Sequence, residues 1–117
     1  MMKIISFPQN MQCDEAIRCV FDLNKLDIDV YKELKKIGES RADELALFLQ
    51  KERSTLYRSL EKLTDAGICT KIKKILTQGG YYYVYRCNNI TDVRRKAQQC
   101  LETWYQSLKE TLKLLSD

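Results

Sequence analysis

The 117-residue chain contains no histidine, one proline and four glycines. Without histidine it lacks the commonest general base and the commonest metal ligand. No Gly-rich phosphate loop, nucleophile elbow or paired-carboxylate signature compensates, so an enzyme is not expected. The scarcity of Pro and Gly leaves few places for loops and favours long helices. No apolar stretch approaches a membrane span, and the opening "MMKIISFPQNMQ" lacks the pattern of a secretory leader. The expectation is a cytoplasmic protein with no membrane partner. Cys13, Cys19, Cys69, Cys87 and Cys100 form no CxxC pair. A structural zinc site wants close ligand pairs, so neither a metal nor a cofactor is expected.

What is present suits a folded domain. Apolar residues make up 44% and charged residues 31%, which excludes a disordered chain and fits one domain. The net charge of +4 is unevenly placed. Residues 27–67 hold eight basic and nine acidic side chains, whereas residues 68–96 hold seven basic and one acidic, a local excess of six. Such a segment is either a solvated face or an electrostatic footprint for a polyanion, and structural context decides between them.

Along the chain, residues 1–9 read as an extended arm and Asn10 as the cap of a helix over 11–21, with Ala16, Ile17, Val20 and Phe21 at helical spacing. Asp27 is expected to cap a second helix, with Ile28, Tyr31, Leu34 and Ile37 on one stripe and Gly38 ending it. Ser40 is expected to open a third helix, with Ala42, Leu45, Ala46 and Leu49 inward. After a turn at Gln50–Glu52 comes "RSTLYRSLEKLTDAG", a fourth helix stopped by Gly67. The runs "ICTKIKKIL" and "YYYVYRC" flank "TQGG" and read as a β-hairpin. Thr91–Asp117, with no Gly or Pro, reads as one long helix. Three segments result: an arm and helix over 1–24, a winged helix-turn-helix unit over 25–90, and a helix over 91–117. The fold class is mainly α with a small β-hairpin wing.

On a wheel of the fourth helix at about 100° per residue, Leu56, Leu60 and Leu63 define a core side. Ser54, Thr55, Arg58 and Lys62 fall opposite, with Tyr57 on the flank. Short hydroxyls near the start of a helix, followed by a cation, suit the major groove, where Arg can bond guanine through O6 and N7. Arg53 adds a further cation at the helix start. Glu61 and Asp65 share the outer face but lie where such a helix leaves the groove. Lys71, Lys73 and Lys74 on the first strand, and Thr77 and Gln78 at the tip, are placed for phosphates or the minor groove; lysines that protect an edge strand would look the same. Tyr81, Tyr83 and Tyr85 share one side of the second strand and are expected to pack.

"IDVYKELKKIGESRADELALFLQKERSTLYRSLEKLTDAGI", followed by a hairpin, resembles the winged helix-turn-helix transcription regulators of the TrmB-like and MarR-like kind in archaea and bacteria. Tyr31, Leu34, the Gly38 break, Ala42 to Leu49, and Ser54, Thr55, Tyr57, Arg58, Leu60, Leu63 and Gly67 carry the resemblance, which spans about residues 13–90. It implies double-stranded DNA as partner and regulation of transcription. Where family members place a capping Ser or Thr before the recognition helix, this chain has Lys51 and Glu52. The sugar-binding domain that larger TrmB-like proteins carry after the DNA-binding part is not expected, and the resemblance implies no sugar effector.

In the last helix Val93, Ala97, Leu101, Trp104, Leu108, Leu112 and Leu115 recur at spacings of three and four, as in a coiled-coil seam. A small domain cannot bury all of it, so a homodimer through this seam is expected; folding back onto the first helix is the other possibility. Cys69 and Cys87 should meet at the base of the hairpin, either as small apolar side chains or as a redox pair. A different reading of the whole chain is a winged-helix adaptor that binds another protein. The basic hairpin beside Arg58 argues for DNA.

Overall fold

The computed structural model describes residues 13–115. The arm expected over 1–9 and the Asn10 cap lie outside the described residues. In chain order the elements are α1 (Cys13–Val20), α2 (Lys25–Ile37), β1 (Glu39–Ser40), α3 (Ala42–Phe48), α4 (Arg53–Asp65), β2 (Cys69–Ile75), β3 (Tyr81–Cys87) and α5 (Ile90–Leu112).

Helix α2 begins earlier than its sequence suggests. Asn24, not Asp27, is the N-cap, and Asp27 sits at the third helical position. The two form a reciprocal box: the Asp27 amide donates to Asn24 Oδ1 at 2.8 Å, and the Asn24 amide donates to Asp27 Oδ2 at 2.9 Å. This frame buries Ile28, Val30, Tyr31 and Leu34, while Ile37 falls at the helix end and is half exposed. Gly38 closes the helix at φ 95°, its N–H reaching Leu34 O.

Ser40 does not cap α3. Its backbone is drawn into a two-residue strand against β3, opposite Tyr85, and Arg41 takes the N-cap position without a side-chain bond. The α3–α4 turn is tight because Gln50 adopts φ 56° and the Lys51 amide reaches back to Ala46 O. Gly67 at φ 82° ends the turn after α4, and a Cβ there would press on Lys96 at 3.3 Å, so only glycine fits without strain.

The sheet order is β1-β3-β2, all antiparallel. Cys69 faces Cys87, Lys71 faces Tyr85, Lys73 faces Tyr83 and Ile75 faces Tyr81. The hairpin closes through Leu76 and Gly80, with Gly79 and Gly80 both at positive φ.

One core joins these parts. Leu34, Leu45, Leu56, Leu60, Leu63, Ile68 and Tyr85 are buried in it, with Ile17 of α1 and Phe21 in the turn after it packed against its edge. Val93 of α5 belongs to this core at 1% exposure, so it is not available to a partner chain, and Ala97 is half buried. The spacing of the seam could not reveal this, because helix α5 keeps one stripe while its surroundings change along its length. From Leu101 onward the helix projects from the body, giving a molecule 68 Å long and about 26 Å across. It ends at Leu112, short of the expected Asp117. The architecture is a winged helix-turn-helix with a three-stranded sheet and a long C-terminal helix.

Candidate nucleic-acid interface

Helix α4 lies with Leu56, Leu60 and Leu63 at 0% exposure. The opposite face therefore holds Arg53, Ser54 and Arg58 in solvent, with Thr55 half buried and Tyr57 at 45% exposure. Glu52 provides no side-chain cap, so the first amides of α4 have no such acceptor and suit an anion.

Lys62 occupies its expected place on the wheel but has a different engagement. Its Nζ stands 2.8 Å from Oδ2 of Asp27, a carboxylate buried in the interior. Ser59 Oγ donates to the other carboxylate oxygen at 2.6 Å. Burial alone would push the Asp27 carboxyl up; the bonds from Lys62, Ser59 and the Asn24 backbone together outweigh it and hold the group below the usual carboxylate range. This bridge fixes α4 on α2. The sequence reading placed both partners without pairing them, because they lie 35 positions apart.

The wing lysines are not equivalent. On a strand, alternate residues face opposite sides, so Lys71 and Lys73 share a face while Lys74 points away, 3.9 Å from Glu39. Lys71 is drawn inward: its Nζ bonds Glu61 Oε1 at 2.8 Å and lies 4.5 Å from the centre of the Tyr83 ring. Tyr85 donates to the same Glu61 oxygen at 2.9 Å. Lys71 holds the Glu61 carboxyl below its ordinary range, and Glu61 in turn pushes the Lys71 ammonium pKa up. Burial, helped by Glu61, pushes the Tyr85 hydroxyl up to about 12. Glu61 is thus turned to the wing and locks it to α4, rather than standing out toward a ligand. Lys73 stays exposed, resting over the Tyr81 ring at 4.2 Å, and Thr77 and Gln78 are exposed at the tip.

Of the three tyrosines on one side of β3, only Tyr85 is packed, at 1% exposure; Tyr83 and Tyr81 are exposed and meet edge to face. The core ends before it reaches them, which no alternation pattern can show. Between α4 and the wing lies an open crevice of about 740 Å³ lined by Arg41, Asp43, Glu52, Arg53, Ser54, Tyr57 and the rings of Tyr81–Tyr83, with Arg41 Nε 3.4 Å from Asp43 Oδ1. Arg41, 4.9 Å from the Tyr82 ring centre, is a cation the sequence reading passed over, since it stands in a stretch otherwise read as a helix start.

Among the described residues no helix is long and apolar enough to cross a membrane. The family model described as "Sugar-specific transcriptional regulator TrmB" matches residues 17–91. A structure described as a possible transcriptional regulator from Methanosarcina mazei Go1 is 27% identical, covers 97% of each chain and superposes with a TM-score of 0.74. An uncharacterized protein of Methanocaldococcus jannaschii is 29% identical over 83% of this chain and 74% of its own length. The Multiple Antibiotic Resistance Repressor, MarR, shares the fold at 16% identity, with a TM-score of 0.51 over 84% of this chain and 72% of its own.

Proposed function

The chain belongs to the TrmB family of transcriptional regulators, and on that premise we propose that it binds specific sequences in duplex DNA as a homodimer inside the cell. The carrying observation is the outer face of α4, where Arg53, Ser54 and Arg58 stand free of the protein's own partners beside an exposed Lys73 and Gln78. Helix α4 enters the major groove, with Arg58 reading a base and the α4 start, Arg41 and Arg53 holding the phosphates that border the crevice. The wing tip follows the adjacent backbone or minor groove. Lys62 and Lys71 act through the protein, one fixing α4 on α2 and the other fixing the wing on α4.

The dimer rests on the free part of α5. Leu101, Trp104, Leu108 and Leu112 form a stripe with exposures of 44–61%, and Leu115, past the helix end, is exposed at 77%. A continuous apolar stripe on a helix that has left its own core calls for a second helix. A second copy supplies one and sets two recognition helices on two half-sites about one DNA turn apart.

The test is selection of bound fragments from a genomic library, followed by competition against random duplex. Enrichment of an inverted repeat is expected. A selection that returns no shared sequence would remove specific DNA binding.

A further inference from the structure

Cys69 and Cys87 are free thiols placed directly across the β2–β3 ladder. The Asn88 amide donates to Ile68 O at 2.8 Å just outside them, which makes them a non-hydrogen-bonded pair. Such pairs bring Cα atoms to roughly 4.5 Å with the side chains on one face. That separation lies inside the range of about 4.4–6.8 Å that a disulfide spans. Cys69 is buried at 2% exposure, whereas Cys87 is half buried and its Sγ leans on Tyr31 O at 3.6 Å.

We propose that Cys69 and Cys87 are an oxidisable dithiol at the root of the wing, which a hydroperoxide closes to a cross-strand disulfide that weakens DNA binding. The half-buried Cys87 attacks first. The neighbouring Cys69 thiol, then the Lys35 ammonium, favour its thiolate, while Cys69 is held protonated by the same contact and by burial. The Cys87 thiolate attacks the terminal peroxide oxygen, the O–O bond breaks, and the alkoxide leaves as the alcohol after taking a proton. The resulting sulfenic acid is attacked by Cys69; the S–S bond forms, the S–O bond breaks, and hydroxide departs with the Cys69 proton as water. The two sulfurs give up two electrons and the peroxide accepts them.

Closure draws the sulfurs to about 2.05 Å and pulls Cys87 off Tyr31. The next pair on the same face is Lys71–Tyr85, which grips Glu61 of α4. A shift at the root therefore reaches the contact that sets the wing against the recognition helix. The effect on DNA rests on the function proposed above; the chemistry of the pair does not.

The experiment treats the reduced full chain with tert-butyl hydroperoxide and reads whole-chain mass, a peptide map and affinity for duplex DNA. The expected results are loss of two hydrogens, a linked peptide joining residues 69 and 87, reversal by dithiothreitol, and an affinity lowered by at least about threefold. Cys87→Ser and, separately, Cys69→Ala, which keeps the buried position apolar, should both abolish the link and the affinity change. No link, a link through another cysteine, or Cys87 oxidised beyond the sulfenic acid without a link would overturn the dithiol. A linked chain that binds as tightly as the reduced one would overturn the regulatory effect. If the reduced chain binds no DNA, the proposed function fails with the regulatory effect, and the peptide map alone decides the dithiol.

Discussion

Asp27 brings a carboxylate to 2% exposure, where an unpaired charge would cost several kcal/mol. Lys62, Ser59 and the Asn24 amide satisfy it, and the first two of these bonds fix α4 on α2. Its folded pKa lies below the ordinary 3.8. A depressed carboxylate contributes stability above its unfolded pKa and loses it as pH falls through the folded value. Asp27→Asn should therefore lower stability by about 1.5–3 kcal/mol at neutral pH. The gap to wild type should narrow as the pH falls below the ordinary 3.8, as urea unfolding across that range and at neutral pH would show; a gap independent of pH would deny the ion pair its role. Arg58, by contrast, has no part in the core. Arg58→Ala should leave unfolding unchanged and cost about 1–3 kcal/mol at the preferred DNA site, relaxing preference at one base pair. Equal weakening on all sequences would make it a phosphate contact instead.

At the scale of elements, the wing separates into a root that is structural and a tip that meets solvent. Lys73→Gln should flatten the salt dependence of DNA binding by about 0.9 in log–log slope with stability intact. Lys71→Gln should instead lower stability, because it leaves Glu61 half buried without its cation. Equal behaviour of the two variants in urea unfolding would dissolve the distinction. Much of this was legible in sequence: the α4 leucine stripe, the Gly67 stop, the hairpin register that pairs Cys69 with Cys87, and the outward Arg58 all follow from periods of 3.6 and 2. What was not legible depends on neighbours remote in sequence. Asn24 outcompetes Asp27 as cap because Asp27 serves better as the reciprocal partner at the third position. Ser40 is taken by the sheet because β3 offers an open edge. Lys62, Lys71 and Glu61 look outward on their wheels and strands, yet long side chains reach sideways to partners that periodicity does not see.

For the whole molecule, the proposed dimer rests on the free end of α5. Trp104 is central in its exposed stripe, and an aromatic at the middle of an interface anchors it at about 2 kcal/mol or more. In a symmetric dimer the loss counts twice, so Trp104→Ala should sediment as a folded monomer at micromolar concentration; a stable dimer would move the interface elsewhere. DNA affinity should fall with it, since one recognition helix makes half the contacts. The central claim, that α4 and the wing together hold duplex DNA, is tested most directly by titrating affinity for a selected duplex against salt. Each phosphate contact contributes a slope of about −0.9 in log K against log salt. The account predicts tight binding at low salt that falls steeply and linearly, with a slope made shallower by Arg53→Gln and Lys73→Gln in steps that add. An affinity that does not change with salt, or no binding at low salt, would contradict it.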